Sequence, residues 1–345
     1  MTRRVRYGRV IVQAISARAE MAVTTTDHLY GRRNVSSRRS VRRGDSHRSD
    51  SGLLAVPNCS EGRDPSRIAR LVAAADVSGV TVLDVHSDPD HHRTVITLAG
   101  APGPLVDSGV ALAAAACELI DLRGHDGVHP FVGALDVLPF VALSPAVLPD
   151  AVHAARLAAM RIGDEIGVPC LLYGAAAGVG RERPARLRAG GLEALGARMA
   201  SGEVVPDAGP ALPHPGAGVV LVGAREPLVA WNVWLPGASV DDARALAAAV
   251  REGGEGEGLA SVRALGLMCS RTGLAQVSMN VEDYRRTPLP AVMDRVRREA
   301  AARGIVIGES ELVGMVPRAA LGGASPQELG LPDLPPATII ETTED

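Results

Sequence analysis

Residues 228–281 read LVAWNVWLPGASVDDARALAAAVREGGEGEGLASVRALGLMCSRTGLAQVSMNV. The apolar run Leu228–Trp234 predicts a buried strand, and the spaced apolar positions of Val240–Val250 predict an amphipathic helix. Val262–Leu267 and Ala275–Val281 then predict two paired strands. A second helix and a closing strand complete the order βαββαβ, and they fall at Leu289–Arg303 and Ile305–Val313.

The same order occurs earlier in the chain, from Gly52 onward. Two copies of βαββαβ predict an α+β protein of two ferredoxin-like subdomains, each an antiparallel sheet with helices on one face. An additional helix and strand follow the first copy. The predicted strands are Leu53–Asn58, Val80–Val85, Thr94–Leu98, Leu135–Leu143 and Val168–Tyr173, and the predicted helices are Pro65–Ala75, Leu105–Ile120 and Asp150–Ile166.

Composition divides the chain further. We expect a disordered basic arm over residues 1–51, because this stretch is rich in Arg and Ser and has no sustained apolar period. The two subdomains are expected at 52–226 and 227–325, and a Pro-rich, irregular tail at 326–345. The Gly- and Pro-rich segment Pro206–Gly218 is the candidate linker.

Charge is distributed unevenly along the chain. Residues 1–50 hold twelve arginines against four acidic residues, a net charge of +8, whereas the other 295 residues hold 24 arginines against 35 acidic residues. Three interpretations of the basic arm remain open: an extension without a role, an electrostatic tether to nucleic acid or to a membrane, and a targeting segment.

Composition also excludes several classes of function. Aromatic residues make up 2% of the 345 residues, so nucleic-acid binding through base stacking is not expected. The 36 basic residues are all Arg, which rules out a lysine Schiff base. The four cysteines form no CxxC pair, and no apolar run reaches 18 residues. We therefore expect a cytoplasmic protein without a membrane span.

Unusual polar density falls in three loops that follow predicted strands. The first, Pro57–Gly62, contains Asn58 and Glu61, which either form a turn and helix cap or contact a ligand. The second and third loops are His86–Thr94 and Arg123–Asp136, and together they hold five of the nine histidines. A histidine between acidic residues in such a loop suits proton transfer near neutral pH, although it can equally bond only to the backbone.

Other chemistries fit these loops less well. His125 and His129 have the spacing of zinc ligands on a helix, but Gly127 and Pro130 oppose a helix there, so we predict no metal site. No GxSxG motif supports a serine hydrolase. Arg188 either binds substrate carboxylates bidentately or lies on a solvated helix face.

The motifs of these loops, taken together and in order, resemble those of the formiminotransferase family over about residues 53–321. The family's VPNFSEG, NRTV, and HxGEHPRMGALDVCPF correspond to VPNCSEG at 56–62, HRTV at 92–95, and HDGVHPFVGALDVLPF at 125–140. Further matches are RAG at 188–190, PDAGP at 206–210, VGAREPLVAWNV at 222–233, QVSMN at 276–280 and LVGMVP at 312–317.

The resemblance implies two similar subdomains with a folate-binding groove between them, a homodimer, and transfer of a formimino group from N-formiminoglutamate to tetrahydrofolate. It implies that tetrahydrofolate is a co-substrate and that no metal is needed. His129 takes the place of the family's catalytic base. The chain departs from the family at Val128, Phe131 and His92, where the family has Glu, Arg and Asn.

The expected roles follow from this resemblance and from residue chemistry. His129 would move the proton, and Arg93 and Arg188 would bind substrate carboxylates. Asp88 or Asp136 would hold the amidinium group of the substrate, while Asn58 and Glu61 would complete the substrate site. Alternatives are a same-fold enzyme with a different formyl or imino substrate and a non-catalytic folate-binding protein; nucleic-acid contact is expected only weakly, through the arm. The expected folate contacts are Gly209, Pro210, Pro215, Gly216 and Gly218.

Overall fold

A computed structural model describes the chain from Gly52 onward, and the expected basic arm lies outside the described residues. Helices and strands alternate along the described residues, and the strands pair into several sheets, so the expected α+β class is confirmed. The strands form one seven-stranded sheet, one four-stranded sheet and one two-stranded ribbon. The described residues are 52–178, 183–254, 256, 258–332 and 334–342.

The first sheet is built around an interrupted strand. Pro57 divides the predicted strand Leu53–Asn58 into β1 and β2, and both pieces pair antiparallel with β4 on one side and β5 on the other. β3 pairs with the free side of β4. The strands are β1 (Leu53–Ala55), β2 (Asn58–Cys59), β3 (Val80–Asp88), β4 (Arg93–Gly100), β5 (Leu135–Ala142), β6 (Cys170–Gly174) and β7 (Val220–Arg225).

The expectation of a purely antiparallel first sheet is wrong. β7 pairs parallel with both β5 and β6, so two parallel strands extend the antiparallel part. Sequence reasoning did not predict β7, although the run Val219–Val222 is apolar and completely or almost completely buried. Because β6 and β7 belong to the same sheet, Pro206–Gly218 is a loop within the first unit and not the expected linker.

Helices cover both faces of the first sheet, which corrects the expectation of one face. Helices α1 (Pro65–Ala75), α2 (Pro102–Leu119) and α3 (Leu148–Arg161) cover one face, and a π-helical turn at Ile162–Ile166 extends α3. On the other face, Leu195 and Met199 pack against Leu171 and Leu221. Leu195 and Met199 belong to α5 (Gly191–Ala200), and the preceding short helix α4 (Pro184–Leu187) adds Leu187 to this cluster.

The second unit has the regular order predicted from residues 228–281. Its four strands pair antiparallel in the order β11-β8-β10-β9. Trp231, Val277 and Met293 lie in its apolar core. The elements are β8 (Val229–Leu235), α6 (Val240–Val250), β9 (Val262–Cys269), β10 (Leu274–Val281), α7 (Leu289–Ala302) and β11 (Ser310–Val313).

The segment expected to be an irregular tail is only partly irregular. Leu329 and Leu331 are buried in the core of the second unit. β13 (Ile339–Ile340) pairs parallel with β12 (Val316–Pro317) after a 3₁₀ turn at Pro336–Thr338. Among the helices that the structure describes, none is both long and apolar enough to cross a membrane.

A close contact between backbones joins α6 to β9. A Cβ atom placed on Gly266 would overlap the backbone of Ala243 and Arg244, so the helix packs directly on the strand. We expect Gly266→Ala to lower the free energy of unfolding by at least about 2 kcal/mol, because the helix must move outward. Chemical denaturation measures this change.

Gly103 supplies the matched control. It is exposed in the first turn of α2, and a Cβ there would meet no atom within 4 Å. Gly103→Ala should change the free energy of unfolding by no more than about 0.5 kcal/mol. Equal effects of the two substitutions would show that the close packing at Gly266 does not matter for stability.

Candidate functional site

The buried carboxylate of Asp136, near the start of β5, is the centre of the candidate site. Asp136 has no exposed surface. Its Oδ2 accepts hydrogen bonds from Nη1 of Arg93, at 2.6 Å, and from Nη2 of Arg188. Its Oδ1 accepts from the backbone N–H of Val132 at 2.9 Å. Burial opposes ionisation, but Arg188 and Arg93 hold the pKa of Asp136 well below its usual range.

Asp136 therefore contacts protein groups and not solvent. As an ionised carboxylate it compensates the charge of two guanidinium groups, each of which is itself largely buried. The expected contact between Asp136 and a substrate amidinium does not fit this geometry, because both oxygens are occupied by protein donors.

Arg93, the first residue of β4, is held from two sides. Its Nη1 donates a hydrogen bond to Oδ2 of Asp136, and its Nε donates one to Oδ1 of Asn58 at 2.8 Å. Asn58 is oriented in turn because its Nδ2 donates to the carbonyl of Val56 at 2.8 Å, across the break between β1 and β2. Asn58 thus orients Arg93, and two of the three nitrogens of Arg93 are already bonded within the protein.

His129 lies beside this ion pair in the loop before β5. Its Nδ1 is 2.8 Å from the carbonyl of Pro130, which can only accept, and 3.3 Å from Nη1 of Arg93, which can only donate, so only one of the two hydrogen bonds can form at a time. The shorter distance favours the tautomer that carries the proton on Nδ1 and leaves Nε2 as the basic nitrogen. Burial, together with the positive charges of Arg93 and Arg188, holds the pKa of His129 well below 6.5. His129 is therefore neutral at pH 7.

His129 lines a groove of about 480 Å³. Arg188, from the short segment after α4, lines the same groove, and so do two of the three residues that depart from the family pattern, Val128 and Phe131. The groove therefore combines a neutral imidazole and a guanidinium group with apolar walls. The remaining lining residues are Leu122, Gly127, Pro130, Gly190, Gly191 and Leu192.

Glu61 supports the start of α1. It is 2% exposed, and its Oε1 accepts hydrogen bonds from the backbone N–H groups of Arg63, at 2.7 Å, and Asp64, at 3.0 Å. Asp64 caps the helix by accepting from the backbone N–H groups of Ser66 and Arg67. The turn-and-cap interpretation of this loop therefore describes its geometry. Glu61 also lines a second cavity, of about 220 Å³.

His92 and His125 stack next to Glu61, with ring centroids 4.4 Å apart. Nδ1 of His92 accepts a hydrogen bond from the backbone N–H of Gly62 at 3.1 Å, which requires an unprotonated nitrogen. Burial, followed by the charges of His125 and Arg63, lowers the pKa of His92 to about 4. His92 also has a φ of +49°, a conformation that Asn adopts more readily than most residues.

Asp88 is not directed at the proposed base. Its Oδ1 accepts hydrogen bonds from the backbone N–H groups of Asp90, at 2.7 Å, and His91, at 2.8 Å, and so shapes the turn between β3 and β4. Sequence reasoning missed the next contact: Nε2 of His91 lies 2.8 Å from Oε1 of Gln276 in the second unit. The QVSMN motif contained Gln276, but nothing in the sequence pointed to His91 as its partner.

The expected folate-contacting residues are separated in space. Gly209 packs against Gly163 and Val168 at the end of the first unit. Gly216 accepts a hydrogen bond from the backbone N–H of Leu122 at 2.8 Å, which brings this part of the loop close to the groove. Neither cavity is lined by any of the five predicted residues, Gly209, Pro210, Pro215, Gly216 and Gly218. Over the described residues, no group of three His, Cys, Asp or Glu side chains is arranged to hold a metal ion.

Two family models match consecutive segments of the chain that contain these motifs. The model of the N-terminal subdomain of the formiminotransferase domain matches residues 52–225, and the formiminotransferase domain model matches residues 230–326. The chain belongs to the formiminotransferase family. The resemblance inferred from the motifs is therefore confirmed.

Several named relatives align over most of the chain. Glutamate formimidoyltransferase of Thermoplasma acidophilum is 37% identical over 294 residues, which cover 83% of this chain and 95% of the relative. The enzyme of the same name from Streptococcus pyogenes is 37% identical over 77% of this chain and 89% of its own length. Formimidoyltransferase-cyclodeaminase of Sus scrofa is 39% identical over 77% of this chain and 50% of its own length.

The low pKa of His92 predicts a dependence of stability on pH. The unfolded chain binds a proton at His92 near pH 6.5, whereas the folded protein does so only near pH 4. The stability contributed by His92 is therefore complete above about pH 6.5 and is lost as the pH falls toward 4. We expect His92→Asn to reduce the loss of unfolding free energy between pH 7 and pH 5 by about 2 kcal/mol.

Urea denaturation at a series of pH values measures this effect. The substitution His153→Asn, at an exposed position of α3, is the matched control. If His92→Asn loses as much stability as the wild type over this pH interval, the buried neutral state of His92 is refuted.

Proposed function

We propose that this protein transfers a formimino group from N-formimino-L-glutamate to tetrahydrofolate, giving 5-formiminotetrahydrofolate and glutamate. This reaction belongs to histidine degradation and one-carbon metabolism. The observation that carries the proposal is the 37% identity to a glutamate formimidoyltransferase over 95% of that enzyme's length. The position of His129 at the wall of a groove supports it.

The chemistry needs one group that moves a proton. N5 of tetrahydrofolate attacks the formimino carbon, and a tetrahedral intermediate forms. The bond from this carbon to the glutamate nitrogen then breaks, and that nitrogen leaves as an amine only after it has gained a proton. Nε2 of neutral His129 can accept the proton lost by N5 and return it to the glutamate nitrogen, a contribution of about 10² to 10⁴ in rate.

The two arginines have different proposed roles toward the negatively charged substrates. Arg188 lines the groove and is our candidate for contact with a substrate carboxylate. Arg93 would act mainly through its charge, because Asn58 and Asp136 occupy two of its nitrogens. Both charges add to burial in keeping His129 neutral at rest, and because they disfavour the imidazolium form they would favour return of the proton to the leaving nitrogen. We propose the loop that contains Gly216 and Gly218 as a folate contact.

The wider organisation is also part of the proposal. For the second unit we propose a ferredoxin-like subdomain, which is supported by the position of β8 between β11 and β10, with β9 outside β10. We place the boundary between the subdomains at residues 226–227, extend the second subdomain to include the buried Leu331, and propose a homodimer in the cytoplasm, with tetrahydrofolate as co-substrate and no metal.

The assignment of His129 is tested by substitution. His129→Ala should lower the rate of 5-formiminotetrahydrofolate formation by about 10² or more, since it removes the proton shuttle, while the half-buried side chain lies in a loop outside the apolar core. Product formation from formiminoglutamate and tetrahydrofolate, followed with purified protein, measures the rate. His125→Ala is the control, because His125 stacks on His92 and does not line the main groove. Full activity of His129→Ala would overturn the assignment.

The apolar groove wall favours a second candidate, an enzyme of the same fold with a different formyl or imino substrate. Val128 and Phe131 replace a family Glu and Arg on either side of His129, and Phe131 packs against His125 with ring centroids 4.1 Å apart. A non-catalytic folate-binding protein fits less well, because His129, Arg93 and Asp136 are all retained and in contact.

Restoring the family residues distinguishes the two enzymes. If formiminoglutamate is the substrate, the double change Val128→Glu and Phe131→Arg should raise kcat/KM for it, because a charged pair returns beside the base. The corresponding changes at exposed positions, Val205→Glu and Val306→Arg, control for added charge alone. Background activity in both the wild type and the restored variant would favour the second candidate.

A further inference from the structure

The second unit contacts the turn between β3 and β4 through two hydrogen bonds. Nε2 of His91 lies 2.8 Å from Oε1 of Gln276, and the backbone N–H of Arg271 donates to Oδ1 of Asp90 at 2.6 Å. His91, Asp90 and Gln276 are 7%, 3% and 0% exposed, respectively. Water cannot easily replace these contacts, so losing either would leave buried polar atoms without partners.

The side-chain amide of Gln276 has a defined orientation. Its Nε2 donates a hydrogen bond to Oε1 of Glu311 at 3.2 Å, and Nδ2 of Asn232 donates to the same oxygen at 3.1 Å. Oε1 of Gln276 therefore faces His91 as an acceptor, which makes Nε2 of His91 the donor. Three neighbouring strands of the second sheet, β8, β10 and β11, thus supply a rigid support for one side chain of the first unit.

The same turn holds the loop that contains His129. The backbone carbonyl of Asp90 accepts a hydrogen bond from the N–H of Val128 at 3.1 Å, one residue before His129. The rings of His91 and His129 lie side by side, with centroids 5.8 Å apart. A path of direct contacts therefore runs from the second sheet, through residues 88–91, to the imidazole at the groove.

We propose that Gln276 is a positioning residue for His129, holding it in place across the boundary between the two units through His91 and the 88–91 turn. The inference rests on the proposed function, in which His129 is the proton-transferring group. It gives the second unit a role in the reaction that does not require any of its residues to touch the reacting atoms.

Substitution of Gln276 tests the proposal. Gln276→Leu keeps the approximate size of the side chain and removes the acceptor for His91, so kcat should fall about tenfold or more while KM for formiminoglutamate stays within about twofold, as expected for a misplaced base rather than a lost binding contact. Exchanging the two groups, with Gln276→Glu and Glu311→Gln together, keeps an oxygen acceptor for His91 without opposing two buried carboxylates and should recover most of kcat. Asn280→Ala, an exposed position on the same strand, is the matched control and should behave as the wild type.

A double-mutant cycle separates positioning from general damage to the fold. His91→Ala and Gln276→Leu should each lower kcat, and the double variant should be no slower than the slower single variant, because both act through one contact. Additive losses in kcat, or equal losses in kcat and in the population of folded protein, would overturn the proposal.

A readout without turnover keeps the test independent of the proposed reaction. The His129 imidazole, identified by its loss in His129→Ala, should show a changed NMR chemical shift and titration midpoint in Gln276→Leu and an unchanged one in Asn280→Ala. Absence of transferase activity in the wild type would refute the proposed function, whereas an unchanged His129 signal in Gln276→Leu would refute the positioning role.

Discussion

A carboxylate without access to water must be compensated within the protein, and at Asp136 this compensation organises the site. Arg93 and Arg188 come from distant parts of the chain and meet on this one side chain. Removal of Asp136 would leave two largely buried guanidinium groups without their counter-charge, and breaking a buried ion pair typically costs about 3–5 kcal/mol. The two guanidinium groups also depress the pKa of the adjacent imidazole. One buried ion-pair network thus connects the stability of the first unit with the protonation state of the proposed base.

The site depends on irregular backbone as much as on the ion pair. The register between the first strand and β5 is unchanged across Pro57 and shifts by one residue between Asn58 and Cys59, directly after the residue that contacts Arg93. The left-handed conformation of His92 allows its ring to stack on His125. A regular hairpin would present the ring of His92 elsewhere, because side chains alternate between faces with a period of two residues.

Periodicity was sufficient to predict most elements, and α6 begins and ends at the predicted residues. It failed where helix propensity was low or where an apolar run stood alone: α5 begins at Gly191 and contains Gly196, and β7 follows the predicted linker Pro206–Gly218 in a segment with no predicted element. The histidine-containing loop was found from its composition and from family motifs. The partners of Arg93 could not be found in this way, because the pairing of residues 93, 136 and 188 depends on strand order and not on local sequence.

The pairing of β12 with β13 has a consequence for how the chain folds during synthesis. Every strand of the first sheet lies between residues 53 and 225, so that sheet can close before the second unit has been made. The second core includes Leu329 and Leu331, and its ribbon needs Ile339 and Ile340. Because domains usually fold in order from the N-terminus, the first unit would fold while the second is still being synthesised, with its proposed base present but without the support of Gln276. The nascent chain would therefore carry a folded first unit before it carried a complete site.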